Sequence, residues 1–424
     1  MNYLEIPEFS YINKQLHAEG VPVREIIRKV GTPAYILSKN HLVRRYNSFT
    51  EEFKSIPHIV YYACKSNFNI NVIKLFADMG AGIDVNSEGE LYRALKAGVA
   101  PGKLLLTGVG KTRREISQGI ELGVNMIKVE SRSELYLVHS IAKQLGKKAS
   151  VALRVNPDVN ALTHPYISTG QKESKFGVST TEALELYREM KSMEFIIPKG
   201  IDMHIGSQIT SIAPFKEAVE RLAEVWMNLK NEGIALSHFD IGGGFGIDYF
   251  ENEEFDLHTF AQEIIPIVTE IGAILCFEPG RYFTGNSAIL VTEVLYLKEK
   301  EDKMILVTDA AMNDLLRPSI YGSYHHIQPV YQRELAEDII SDIVGPVCES
   351  GDFFAKKRLI QKPEQGDYLA IMSAGAYGSV MSSNYNARRR GPEVIVDGDQ
   401  WYVSRSRETF EHMLYDEQLI DAIH

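Results

Sequence analysis

The run VYYACKSNFN, Val60 to Asn69, carries an apolar, aromatic stretch straight into a lysine, Lys65, at the start of a polar turn. Lysine is among the residues least often fully buried, so one aimed out of the end of a core strand invites a chemical reading. The pattern recurs along the chain. Other apolar runs end on Asp84 with Ser87, on Arg154, on His204 with Ser207, on Gly242, Gly243 and Gly244, and on Glu278 with Arg281. A desolvated lysine sheds its proton more readily and can attack a carbonyl to form a Schiff base. Glycines at a strand-to-helix turn let backbone N–H groups approach a phosphate. A carboxylate can keep a pyridinium nitrogen protonated, and an imidazole can lie against an aromatic ring. Together these groups describe a seat for pyridoxal 5'-phosphate, an electron sink for amino-acid carbanions.

Each residue alone also has a plainer reading. Lys65 fits a salt-bridged strand end, His204 a hydrogen-bonded core histidine, and the glycine run a turn with positive φ. Arg281 and Arg317 fit structural ion pairs, and Cys348 an inert thiol. It is the set, recurring at one strand end after another, that favours chemistry.

Short apolar runs alternate with amphipathic segments from about residue 33 to 281. The strand candidates are PAYIL (33–37), HIVYYACK (58–65), AGIDVNS (81–87), KLLLTG (103–108) and NMIKVES (125–131), then SVALRVNP (150–157), GIDMHIGS (200–207), HFDIGGG (238–244) and ILCFEPGR (274–281). Helical patterns such as SEGELYRALKAG and SRSELYLVHSIAKQLG lie between them, with capping residues in front and glycine behind. Near-continuous apolar strands, each followed by a helix, predict a parallel sheet covered by helices. About eight such units in about 250 residues fit a (β/α)8 TIM-like barrel, with a doubly wound open sheet as runner-up. In such a barrel the polar strand ends share the C-terminal face, where active sites lie. After Arg281 the texture is β-rich, as in AILVTEVLYLKE and PEVIVDGDQWYVSR, and predicts a C-terminal sandwich or barrel domain. The expected division is an N-terminal segment, 1–32, joining the β domain; a barrel over 33–285; and the β domain over 286–424.

Composition narrows the function classes. A net charge of -11 argues against nucleic-acid or anionic-membrane partners, which favour basic surfaces. Three scattered cysteines, Cys64, Cys276 and Cys348, form no disulfide framework and fit a reduced, cytoplasmic compartment. The N-terminus lacks signal-peptide character, and no apolar run approaches the roughly 20 residues that span a bilayer.

Conventional motifs fail. GVGKT (108–112) has Leu105 where a P-loop needs its first glycine, and Gly242, Gly244 and Ile247 miss the third glycine of a dinucleotide fingerprint. There is no HExxH, and His325-His326 lacks metal-ligand spacing, so no metal is expected.

The chain resembles the fold-type III pyridoxal-phosphate-dependent decarboxylases. The resemblance runs from about residue 33 to 410 through YYACKSN, AGIDVNSEGEL, HIGSQI, IGGGFGIDY and EPGRY, and in the second domain through LLRPSIY, CESGD, AGAYGS and SSNYN. It implies an alanine racemase-like two-domain architecture with pyridoxal 5'-phosphate as cofactor. Lys65 would anchor the cofactor, His204 would stack on its ring, and Glu278 would pair with its nitrogen. Asp84, Ser207, Gly243, Gly244, Glu278, Pro279, Gly280, Arg281 and Tyr377 would complete its binding site. Arg281, Arg317, Tyr321, Glu349 and Tyr377 would bind substrate, two arginines suiting two carboxylates. Cys348 would return a proton after carbon dioxide leaves.

HPYISTG, LLRPSIY, CESGD and SSNYN carry the substrate expectation: meso-2,6-diaminopimelate decarboxylated to L-lysine, the last step of lysine biosynthesis. The alternative is a related decarboxylase acting on lysine, ornithine or a carboxylated polyamine. A non-catalytic relative is a third reading, disfavoured because Cys348, Glu349, Arg317 and Tyr377 are all present. The resemblance further implies a homodimer with composite sites. Cys64, and SNFN after the lysine, depart from the usual pattern, a change that bears on packing or redox sensitivity beside the anchor. ALTHPYISTGQKESK, 161–175, reads as a lid.

Overall fold

The computed structural model describes residues 6–159, 175–250, 254–301 and 303–420. The chain divides into two compact units. One comprises Arg44–Asp248 with Glu253–Phe283, and the other Met1–Val43, Tyr249–Asn252 and Thr284–His424.

In the first unit eight parallel strands close a barrel. They are, in chain order, His58–Ala63, Gly82–Val85, Leu104–Leu106, Met126–Val129, Ala149–Asn156, Ile196–Asp202, His238–Asp240 and Ile274–Phe277. Closure is made where Leu275, Cys276 and Phe277 of the eighth strand pair with His58, Ile59 and Val60 of the first. The barrel interior is filled by Tyr61, Leu105, Met126, Ala152 and Cys276, so it is a core and not a pore.

The covering helices begin where short polar side chains satisfy free N–H groups. Ser87, Ser131 and Ser179 each accept a hydrogen bond from a residue three positions on, and Thr112 with Glu115 forms a capping box. Ser87, whose position beside Asp84 marked it for the barrel mouth, is thus the cap of helix Glu88–Lys96. Thr112 of the GVGKT stretch is likewise a cap, and Lys111 is buried against Glu134 at 2.9 Å.

The second unit holds a three-stranded antiparallel sheet, Phe9–Ile12, Gln15–Ala18 and Val21–Pro22, and a nine-stranded sheet built around the long strand Ala288–Glu299. Strand Ala34–Ser38 belongs to this second sheet, which corrects its reading as the first barrel strand. It pairs antiparallel with Ala288–Glu299 on one side and parallel with Glu393–Asp397 on the other. The cause is physical: all five residues are buried, and a run apolar on both faces reads alike in any buried sheet. Phe9, Leu16, Ile26, Ile36, Ile289 and Val394 join in one core cluster of this unit. Among the described residues no helix is long and apolar enough to cross a membrane.

Candidate active site

The barrel unit brings Lys65, Asp84, His204, Ser207, Gly242–Gly244 and Glu278–Arg281 to the C-terminal ends of its strands. Lys65 sits in the tight turn Cys64–Ser66 directly after the first strand. Its Nζ lies 4.0 Å from Oδ2 of Asp84, a fully buried residue of the second strand. Burial and then the nearby Glu278 push the Asp84 carboxyl up to about 7, against the opposing pull of Lys65 and Lys128. Cys64 is buried and its thiol faces Glu90 Oε2 at 3.4 Å; burial pushes its pKa well up, so it is a packing group beside the anchor.

His204 follows the sixth strand, and its Nδ1 accepts a hydrogen bond from the Gly243 N–H at 3.3 Å. Burial, then Arg154, Lys65 and Lys128, hold the imidazole well below its ordinary pKa, so the ring is neutral with its proton on Nε2. Arg154 pairs with buried Glu130 at 3.2 Å, which makes it a support behind the site.

The glycine run is required by space as well as by conformation. Gly242 and Gly244 have φ of 69° and 104°. A Cβ on Gly243 would stand 2.1 Å from the Glu278 carbonyl oxygen, and one on Gly244 2.2 Å from that of Gly206. The turn is stitched to its neighbours by the Glu278 N–H, which donates to the Gly242 carbonyl at 2.7 Å. Pro279 accepts from the Ala63 N–H at 3.2 Å, tying the EPGR segment to the strand that delivers Lys65. A Cβ on Gly280 would stand 3.0 Å from both the Ala63 carbonyl and Ser66 Oγ. Arg281 Nη2 donates to Ser207 Oγ at 3.1 Å.

Sequence reasoning passed over Lys128, Asp202 and Asp240. Lys128 Nζ donates to Asp202 Oδ1 and Asp240 Oδ2, each at 2.7 Å, and to Glu278 Oε1. All four residues are buried. Burial alone would lower the Lys128 pKa, but the three carboxylates outweigh it and hold the ammonium charged. The signal was present in MIKV, GIDM and HFDI, where a charged residue interrupts an apolar strand.

The remaining expected residues lie in the second unit. Arg317 is buried at the start of helix Arg317–Tyr321, its Nη1 2.9 Å from His325 Nε2 and its guanidinium 5.0 Å from the centre of the Tyr249 ring. His325 Nδ1 faces the Met372 carbonyl at 2.9 Å, so the ring donates there and accepts from Arg317. Tyr321 ends the same helix. Cys348 and Glu349 are exposed on one loop, and Ser319 Oγ joins that loop to the Arg317 helix through the Gly351 carbonyl at 2.6 Å. Tyr377 holds a left-handed backbone, φ 56°, which a non-glycine residue adopts only under local constraint. HPYISTG, and the lid expected over 161–175 apart from Lys175, fall outside the described residues.

The barrel-mouth residues fit pyridoxal 5'-phosphate. A half-buried amine, that of Lys65, stands 4.0 Å from the buried Asp84 carboxyl, and the glycine cradle would be filled by any Cβ. The barrel and its mouth are those of a pyridoxal-binding domain: the family described as pyridoxal-dependent decarboxylase, pyridoxal binding domain, matches residues 39–285, and the chain belongs to that family.

The particular relatives are diaminopimelate decarboxylases. That of Aquifex aeolicus is 43% identical over 96% of this chain and 97% of its own. The solved structure of the Helicobacter pylori enzyme complexed with L-lysine is 39% identical, covers 92% of this chain and 98% of its own, and superimposes with a TM-score of 0.89. The M. jannaschii enzyme in co-complex with L-lysine is 35% identical, covers 99% of both chains and gives 0.93.

Proposed function

We propose that the protein is a diaminopimelate decarboxylase, converting meso-2,6-diaminopimelate to L-lysine and carbon dioxide. The observation that carries this reading is the similarity to enzymes of that name over nearly the whole chain, both units included. Lys65 Nζ would anchor the cofactor, His204 would lie against its ring, and Glu278 would pair with its nitrogen. Ser207, Gly243, Gly244 and the Glu278–Arg281 segment would receive its phosphate, with Tyr377 closing the site. Bound there, pyridoxal 5'-phosphate supplies an electron-withdrawing ring that accepts the electron pair left when the carboxylate departs as carbon dioxide.

The chain's own groups do the rest. Arg281 and Arg317 each present a guanidinium suited to one carboxylate of a dicarboxylic substrate. Tyr321 and Tyr377 would position it, and the exposed Glu349 carboxylate would meet its distal ammonium. Cys348 Sγ would hold the proton that replaces the departing carboxyl group.

The working form is proposed to be a cytoplasmic homodimer whose sites draw on both protomers. Sedimentation velocity checks the assembly, and a monomer that turns over at the full rate would refute it.

The deciding experiment is a substrate panel. Carbon dioxide release should be rapid from meso-diaminopimelate and negligible from lysine and ornithine. Equal or faster release from lysine or ornithine would overturn the substrate assignment while leaving decarboxylation intact.

A further inference from the structure

Of the cluster around Lys128, only Glu278 has a part in the roles above. Its ammonium has three N–H donors, and all three are spent on carboxylates from other strands or strand ends: Asp202 and Asp240 at 2.7 Å, and Glu278. The three carboxylates stand with ligand oxygens within 4.8 Å of one another, and the cation they surround is supplied by the chain itself. Two links extend the cluster into the glycine turn. Asp240 Oδ1 accepts from the Gly242 N–H at 2.9 Å, and the Glu278 N–H donates to the Gly242 carbonyl at 2.7 Å. Gly243, next in the chain, donates to His204.

As a device for stability this arrangement is poor. Taking an ammonium and three carboxyl groups out of water is often no more favourable than filling the same volume with well-packed apolar groups, and burial pushes the Asp202 carboxyl up to about 6 and that of Asp240 well up. Its distinctive effect is on Glu278, which without Lys128 would be a buried carboxylate with oxygens of Asp202 and Asp240 within 4.8 Å and without the cation it now contacts.

We propose that Lys128 is a positioning residue of this active site: its ammonium holds the Glu278 carboxylate in place and supplies its counter-charge. The proposal rests on the assignment of Glu278 as the partner of the cofactor's ring nitrogen. Lys128 touches neither cofactor nor substrate in this scheme. It acts through Glu278, and through Asp240 it holds the turn that carries Gly242 and Gly243.

The test uses the full-length protein in five forms: wild type, Lys128→Met, Glu278→Gln, the double variant of these, and Lys128→Met/Asp202→Asn/Asp240→Asn. The last removes the cation together with two of its three carboxylates, so that the core stays free of surplus charge if Lys128→Met alone does not fold. The readouts are the affinity for pyridoxal 5'-phosphate, the absorption band of the bound cofactor, and the melting temperature without cofactor.

The expected result is a shifted band and affinity lower by about tenfold or more in Lys128→Met and in the triple variant, the size expected from losing one charge-assisted hydrogen bond. Adding Lys128→Met to Glu278→Gln should shift the band and the affinity no further, since residues acting through one contact are not additive. A shifted Glu278→Gln beside an unshifted Lys128→Met, or effects that multiply in the double variant, would overturn the role of Lys128 alone. An unshifted Glu278→Gln would overturn the Glu278 assignment and this proposal with it. Failure of both Lys128 variants to fold would assign the lysine to the fold and also overturn the proposal.

Discussion

The Lys65 ammonium and the Asp84 carboxylate lie 4.0 Å apart across adjacent barrel strands, yet their surroundings differ sharply: the lysine side chain is 38% exposed and the aspartate fully buried. The cation at the mouth faces a carboxyl that burial and then Glu278 push up to about 7, with Lys65 pulling the other way. Of the two side chains, that of Lys65 is the one a ligand at the mouth can reach.

The first prediction concerns that amine. Lys65→Ala should abolish both the absorbance of the bound cofactor and carbon dioxide release. In the wild type, borohydride reduction and peptide mapping should place the label on Lys65. Label on another lysine would refute the assignment.

Gly243→Ala should empty the site without touching any charged group. The added methyl would stand 2.1 Å from the Glu278 carbonyl, so the turn must move, at a cost of about 1–3 kcal/mol for overpacking. Cofactor bound per protomer after dialysis measures the outcome, and full retention would show that the cradle does not hold the phosphate.

Cys348→Ala should separate chemistry from binding. Cys348 is exposed on the loop tied to the Arg317 helix, so its loss should leave cofactor content and melting temperature unchanged. Turnover should fall roughly 100-fold or more, as expected for loss of a general acid. A turnover number within threefold of wild type, by about the scatter of ordinary surface substitutions, would exclude it as proton donor.

Arg317→Lys should raise KM for diaminopimelate by about tenfold while leaving cofactor affinity unchanged, because lysine keeps the charge and loses the planar fork. His325, which accepts from Arg317 Nη1, fixes that fork. An unchanged KM would remove Arg317 from the substrate's carboxylate.

Buried Asp314 predicts the direction of a pH effect. Burial pushes its carboxyl up to about 7, partly offset by the Ala311 N–H that it accepts at 3.0 Å. A folded pKa above the unfolded 3.8 means that the native state binds the proton more tightly. Its contribution to stability is therefore complete below about pH 4 and is lost as pH rises through about 7. Urea midpoints between pH 4 and 7 should fall less steeply in Asp314→Asn than in wild type; parallel curves would contradict this.

Local sequence is enough to show where apolar runs stop on ionisable side chains, as at Lys65, His204 and Glu278, because such a stop is a pattern of a few residues. It also determined the alternation of strands with capped helices, since capping and periodicity act within a few residues. What it left open was membership and convergence. Ala34–Ser38 is as apolar as any barrel strand, and only its partners, Ala288–Glu299 and Glu393–Asp397, decide which sheet it enters. Ser87 looks equally suited to a site or a cap, and the position of helix Glu88–Lys96 decides for the cap. Lys128, Asp202 and Asp240 lie far apart in the chain, and each alone is a single charge in an apolar strand. Closing the barrel sets the register that turns their side chains inward to one point, and a charge that cannot reach water must find its counter-charge there.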